Sequence, residues 1–273
     1  MKPIATLILN RNLPKVTDKL YRTIKKNEGN ITDIFVIEAG SSKNNLSKYA
    51  TWHANSESVK KKGLRFPRGM NYGLYNLWKE NLFDKYKAFF LITNDTVIQN
   101  KNTLKTLYSI LLKNKKIGIL SPCSKKWGEN KLLKKNSIKF TWYIHNHAYL
   151  LNKDLLLKII NPTSGYMNFL YDGSNFRGYG LESELIAKAY ANNFAAAITN
   201  KVYLEENEDY LLNHNDLIKT ESYSRNLKLS YVEGLKWMKR KYGFNNKWLL
   251  QNYVKLFYDN FFVNYPEYKK YKI

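Results

Sequence analysis

The chain has 273 residues, 44% of them hydrophobic and 15% aromatic, which excludes an intrinsically disordered protein and allows one large domain with an ample core. No stretch approaches the roughly 20 apolar residues of a membrane span, and one cysteine, Cys123, excludes an internal disulfide and a multi-cysteine zinc site. The formal net charge of +23 is carried almost wholly by lysine, whereas base readout favours arginine, so nucleic acid is not an expected partner and an anionic lipid or glycan surface stays open.

The N-terminal residues Met1-Lys2-Pro3-Ile4 run directly into an apolar segment rather than a signal-peptide pattern, so a cytoplasmic protein is expected. Residues 4–9 read as a buried strand, followed by Asn10-Arg11-Asn12 and by Pro14, which suits the first turn of a helix. Val16, Leu20 and Ile24 recur at helical spacing and predict a helix over 14–26, ended by Gly29-Asn30. Residues 33–38 form a second strand that stops at Glu38 and the turn Ala39-Gly40-Ser41-Ser42. Strand, helix and strand together make a parallel, right-handed crossover. No Gly-x-Gly-x-x-Gly loop follows the first strand, which disfavours a dinucleotide site.

Residues 60–73 carry three lysines and the run Arg68-Gly69-Met70-Asn71-Tyr72-Gly73, after which Leu74, Leu77 and Trp78 continue in helical register. Arg68 and Gly69 at the mouth of that helix are placed to meet an anion through free amides, the helix dipole and the guanidinium. A solvated basic loop is the plainer reading of the same stretch. Residues 89–97, Phe-Phe-Leu-Ile-Thr-Asn-Asp-Thr-Val, are an apolar run closing on an amide and a carboxylate. They predict a buried parallel strand that delivers Asn94 and Asp95 to the carboxyl edge of a sheet, where open α/β folds bind ligands. A strand-ending Asx turn accounts for them without function.

Leu104, Leu107, Ile110 and Leu111 mark a helix, 117–120 a strand closed by Ser121-Pro122, and 124–136 a lysine-rich surface loop. Residues 140–150 alternate and predict one strand with His145 and His147 on the same face, near Trp142. A zinc pair, acceptor contact and simple packing are all compatible with the two imidazoles. Residues 161–179 read as a loop across the site, leading into a helix from Gly180 that opens with Glu182 and Glu184. Acids in a first helical turn are favoured by the macrodipole for stability alone. Residues 195–198 and 202–204 are two short apolar pieces returning to the sheet. From about 230 the chain turns to helices over 231–242 and 247–262, split by Gly243, with Leu250, Val254, Phe257 and Phe261 on one face of the second. This tail is expected to be a helical cap outside the donor site, with docking on an anionic membrane surface as the alternative.

The order of these pieces resembles the family 2 glycosyltransferases of GT-A fold. The matching residues are 7–11, 34–42, 68–73, 91–96 and 180–185, and their order and spacing, rather than any single motif, carry the resemblance. It implies an α/β, GT-A-type fold with a mixed, mainly parallel sheet flanked by helices over 1–228, the donor half about 1–122 and the acceptor half about 123–228, followed by a helical C-terminal extension over 229–273. It implies an inverting transfer of a sugar from a nucleotide-sugar donor to a hydroxyl of a glycan or other acceptor. Asn10, Arg11, Asn12, Glu38, Arg68, Asn71 and Asn94 would bind the nucleotide sugar, Asp95 would hold Mn²⁺ or Mg²⁺, and Glu182 would be the general base. Trp142, His145, His147 and Glu184 are the candidates for acceptor contact.

The chain departs from the family pattern in two places. The Asp-x-Asp metal motif stands here as Thr93-Asn94-Asp95, and the Glu-Asp pair as Leu181-Glu182. A metal-supporting histidine further on has no clean counterpart, His214 and Glu205 being stand-ins. Independently of any family, a departing diphosphate calls for a cation held by a carboxylate, inversion calls for a base aimed at the acceptor hydroxyl, and Arg68 is a candidate to share the leaving-group charge. The alternatives are an inactive glycosyltransferase-like nucleotide or glycan binder and a basic nucleic-acid-binding protein.

Overall fold

The computed structural model describes residues 2–145, 147–207 and 222–273. β1 (Ile4–Asn10), α1 (Pro14–Glu28) and β2 (Thr32–Ala39) form the first crossover. β3 (Ala50–Ala54) lies outside β2, and α2 (Glu57–Lys62) and α3 (Arg65–Lys79) lead back to β4 (Ala88–Thr93) on the far side of β1. All three ladders in this half are parallel. Ile4, Leu7, Ile8, Val36, Ile37 and residues 89–92 are buried, because helices cover both faces of such a sheet and leave its strands near-continuous apolar runs.

β5 (Thr96–Ile98), α4 (Thr103–Lys113), β6 (Ile117–Cys123), β7 (Ile138–Phe140), β8 (Ala148–Asn152), α5 (Lys153–Ile159), α6 (Leu181–Ala191) and β9 (Ala195–Glu206) complete the core. Among the described residues the strand order is β3-β2-β1-β4-β8-β6-β9-β5, with β7 also on β9. β8 runs antiparallel between β4 and β6, so the sheet is parallel on the N-terminal side and mixed beyond.

Two strand expectations are corrected. Residues 140–150 are not one strand: β7 ends at Phe140 on β9, β8 starts at Ala148 on β4, and the chain crosses between them. Thr141 sets the break, since its hydroxyl engages both N–H and C=O of Tyr143 and its own carbonyl accepts from Tyr190 Oη. His145 and His147 therefore sit on or at the end of a crossing segment, not side by side on a strand face. Conversely, the two short pieces near 195–204 are one strand of 12 residues. The polar residues between them bulge out of the ladder with β6, which pairs Pro122 with Thr199 and then Cys123 with Tyr203, and they are held by side chains: Thr199 donates to Ser137 O and Asn200 exchanges bonds with Ser137 N and Lys134 O.

The Arg-Gly-x-Asn-x-Gly run starts inside the first turn of α3, and its glycines have a packing reason. A Cβ at Gly69 would come within 2.3 Å of Leu9 Cδ1, and one at Gly73 within 2.3 Å of Ile37 Cδ1. Only bare backbone lets this helix lie so close to β1 and β2.

The extension consists of α7 (Tyr223–Tyr242), α8 (Lys247–Asn264) and a 3-10 turn (Pro266–Tyr271). α7 runs straight through residue 229, and Trp237, Met238, Leu250, Val254, Tyr258, Phe261 and Phe262 join the same apolar core as the sheet. Phe140 stacks on Tyr271 and meets Phe261 edge-on. Trp248, Leu256 and Val263 remain 75%, 69% and 75% exposed. Among the described residues, no helix is long and apolar enough to cross a membrane.

Asp172, in the loop before α6, clamps the extension to the core by accepting from Trp237 Nε1 at 3.0 Å and Lys241 Nζ at 2.9 Å. Burial pushes its carboxyl up, but hydrogen bonds from Ser174, Lys241 and Trp237 outweigh this and hold it well below the usual carboxylate range. The stability this supplies is present above the unfolded value of about 3.9 and is lost as pH falls toward the lower native one. Asp172→Asn is expected to cost about 2 kcal/mol in urea unfolding at pH 7, with the gap to wild type narrowing below about pH 4. A gap that stays constant with pH would contradict this role.

Candidate active site

The carboxyl edges of β1, β2 and β4 are tied by one buried polar network. Asn10 Nδ2 donates to both Glu38 oxygens at 3.0 and 2.9 Å, and Glu38 also accepts from Ser41 Oγ and from Ser47 N at 2.8 Å. Asn94 Nδ2 donates to Asn10 Oδ1 and Thr17 Oγ1, each at 3.0 Å. Asn12 closes the turn, its N–H donating to Ser41 Oγ and its Oδ1 accepting from Ser42 N. Parallel strands whose loops all leave at one edge bring these residues together, although they lie far apart in the chain. Glu38 is fully buried, so it organises this floor through its neighbours.

Asp95 follows β4 at that edge. Its backbone carbonyl accepts from Asn207 N at 2.9 Å, and β5, immediately after it, pairs with the end of β9. Its Oδ1 is buried with no hydrogen-bond partner among the described residues. Burial pushes this carboxyl above its ordinary value, against the pull of a hydrogen bond from Thr93. A buried oxygen in that condition is costly unless a cation meets it.

Asp95 lines a cavity of about 320 Å³ together with Phe66, Trp127, His147, Arg177 and Glu206. Both ring nitrogens of His147 are buried without a partner among the described residues, and burial pushes its pKa down to about 3, which keeps the ring neutral. His145 Nε2 lies 3.0 Å from Glu129, its ring is stacked 3.4 Å from Trp127, and the two imidazole centroids are 6.4 Å apart. Among the described residues no group of three or more His, Cys, Asp or Glu is arranged to hold a metal ion. The donor set therefore fits a cation carried mainly by substrate phosphates and touched by one protein carboxylate, the usual manner for Mg²⁺. It does not fit a zinc cage.

A second cavity of about 260 Å³ is lined by Glu182, Tyr143, Tyr179, His145, Arg177 and Lys247. His145, Arg177 and Gly178 border both spaces, which makes them two lobes of one cleft. Glu182 stands in the first turn of α6, after Gly180 in the left-handed region at φ 85°, and is 4% exposed. Glu184, two residues on, meets the extension outside the cleft. It accepts from Tyr242 Oη at 2.8 Å and pairs with Lys241 at 2.6 Å. Arg177 is held by α7, donating from Nε to Asn226 and pairing with Glu233.

Several residues singled out in the sequence lie outside these lobes. Arg68 Nε donates to Gly173 O at 2.7 Å and its guanidinium lies over Phe176. Asn71 is fully buried and clamps the loop before α6, donating to Met167 O and Tyr171 O and accepting from Leu170 N and Tyr171 N. Arg11 donates to the carbonyls of Lys60 and Lys61 at the end of α2. Trp142 packs on Tyr258 of α8. Glu205 accepts from Ser124 Oγ and Lys125 N, while its neighbour Glu206 lines the Asp95 lobe. His214 lies outside the described residues.

Sequence reading missed Trp127, Arg177, Glu206 and Lys247 as cleft residues. The alternation of β9 separates Glu205 from Glu206, and a tryptophan inside a lysine-rich loop is itself unusual, so two of the four left a signal. Arg177 and Lys247 left none, because their positions depend on how the extension packs.

No protein-family model and no curated protein matches the chain. Solved structures do match in three dimensions. The Mycobacterium tuberculosis glucosyl-3-phosphoglycerate synthase, in complex with Mn²⁺, UDP-glucose and phosphoglyceric acid, aligns at TM-score 0.52 and 12% identity over 88% of this chain and 79% of that one. The Pyrobaculum calidifontis mannosyltransferase PcManGT, in complex with GDP-Man and Mn²⁺, aligns at 0.51 and 9% over 94% and 74%. Residues 1–349 of S. aureus TarS align at 0.51 and 14% over 86% and 66%. At these identities the likeness is one of fold, and the fold is the GT-A architecture.

Proposed function

We propose that the chain is a glycosyltransferase that moves a sugar from a nucleotide-sugar donor to an acceptor hydroxyl with inversion at the anomeric carbon. The observation that carries this reading is the two-lobed cleft, with the orphaned Asp95 carboxylate in one lobe and Glu182 in the other. The structural neighbours with UDP-glucose or GDP-Man and Mn²⁺ support nucleotide-sugar transfer, while inversion rests on Glu182 acting as the base.

Asp95 is the proposed protein ligand of Mn²⁺ or Mg²⁺, and the cation, when bound, supplies positive charge to the departing diphosphate. The network of Asn10, Asn12, Glu38 and Asn94 holds the strand edges on which the nucleotide would lie. Glu182 takes the proton of the acceptor hydroxyl as that oxygen bonds to the anomeric carbon, while the bond from this carbon to the diphosphate breaks. Tyr143, Tyr179 and Trp127 give the cleft aromatic faces suited to sugar rings.

Thermal unfolding in the presence of UDP-, GDP-, dTDP- and CMP-sugars with Mn²⁺ tests the reading. One donor at a hundredfold its Kd is expected to add about 2.7 kcal/mol and to raise the melting temperature, with the rest of the panel weaker. No stabilisation by any nucleotide sugar, with or without Mn²⁺, would remove it.

A further inference from the structure

The C-terminal extension brings a lysine into the lobe that holds Glu182. Lys247 is the first residue of α8, and its Nζ lies 2.7 Å from Glu182 Oε1, with side chains 23% and 5% exposed. The ammonium sits between the rings of Tyr179 and Tyr143, at 4.9 and 5.5 Å from their centroids. A cation at a helix N-terminus opposes the macrodipole, so this position is locally unfavourable and needs a partner elsewhere. Glu182 is that partner, and it too opens a helix, where its negative charge is favoured.

Two ion pairs join α6 to the extension, and they differ in surroundings. Lys241 and Glu184 are joined by Tyr242, Lys188 and Asp172, and neither lines the cleft. Lys247 and Glu182 both line the 260 Å³ lobe. Burial alone would lower the Lys247 pKa, and the charge and hydrogen bond of Glu182 reverse this and keep the ammonium protonated.

We propose that Lys247 is a positioning residue for the transfer reaction: it fixes the orientation of the Glu182 carboxylate, so that the acceptor half of the site is built jointly by the core and the extension. The proposal rests on Glu182 being the base. Anchoring one oxygen to an ammonium that is itself walled by two aromatic rings sets the plane of the carboxylate. Tyr143, Tyr149, Tyr171 and Tyr179 also face Glu182, and burial raises the pKa of all four hydroxyls. His145 and Arg177 border the same lobe, engaged by Glu129 and Glu233.

The test is the kinetics of donor hydrolysis, with water as acceptor, using the nucleotide sugar that stabilises the full chain most. Lys247→Gln keeps a hydrogen-bond donor for Glu182 and removes only the charge, so the chain is expected to fold. Its kcat should fall about tenfold or more while donor KM stays at the wild-type value. Lys247→Arg should restore most of kcat. A Lys247→Gln variant with the wild-type kcat, whatever its melting temperature, overturns the proposal and leaves only a docking pair. Glu182→Gln hydrolysing donor at the wild-type rate would instead sink the assignment of the base, a separate and distinguishable failure.

Discussion

Glu182→Gln is expected to bind the donor as wild type does and to transfer sugar more slowly by on the order of 10²- to 10⁴-fold, the usual cost of losing a positioned base. The substitution is nearly isosteric and still offers Lys247 an acceptor, so the fold should survive. Glu184→Gln is the informative contrast. Its carboxylate is 2% exposed and engaged by Lys241, Tyr242 and Lys188 away from the cleft, so its loss should appear as a lower unfolding midpoint. A loss of about 1 kcal/mol is expected, because Glu184 is buried but Lys241 and Lys188 are 36% and 33% exposed and water screens their charge. Steady-state kinetics below the melting temperature of both variants decides the matter. A catalytically dead Glu184→Gln beside a fully active Glu182→Gln would reverse the assignment.

Asp95→Asn should lower turnover by on the order of 10²-fold or more, because the charge that offsets the cation is lost at the strand edge where the diphosphate leaves. The expected pattern is more specific than a loss of rate. Glu206 also lines this lobe, but of the two carboxylates only Asp95 has a buried oxygen without a hydrogen-bond partner among the described residues, so Mn²⁺ should bind weakly to the wild-type chain alone and tightly only with nucleoside diphosphate present. Electron paramagnetic resonance of Mn²⁺ would therefore show a protein-bound signal that appears with the diphosphate and fades in Asp95→Asn. Stability should hold or rise slightly, since an amide at this buried position has no charge to desolvate. Full activity of the variant, or of wild type in chelator, would assign the leaving-group charge to Arg177 and the surrounding lysines instead.

Much of the donor half was legible because its signals are local. The apolar run at residues 89–92, the proline opening α1 and the acid closing β2 each reflect the conformational needs of a few consecutive residues, and parallel crossovers have one hand. For Asp95 and Glu182, the order and spacing of the segments that carry the family resemblance placed both residues at the cleft. Residues 140–150 were misread because alternation reports only which side chains are buried. It does not report which neighbour a strand pairs with, and here the pairing partner changes from β9 to β4 within eight residues of Phe140.

Asn71 and Arg68 show the opposite limit. The run around them looks like an anion loop in sequence, yet the chain spends both side chains on the carbonyls and amides of residues 167–173, a hundred positions away. Buried backbone groups must find partners, and no local pattern says whose side chain will supply them.

What the sequence determined by itself was the α/β class, the positions of β1, α1, β2, β4, α4 and β6, and Asp95 at the open edge of the donor half, since these follow from periodicity and from residues close in the chain. Only the tertiary structure decided that Glu182 faces the cleft while Glu184 meets the extension outside it, that Glu206 and not Glu205 lines the Asp95 lobe, and that Lys247 reaches Glu182. The physical reason is common to all three. Each depends on the angle at which one element packs on another, and that angle is set by the whole buried surface rather than by any stretch of sequence.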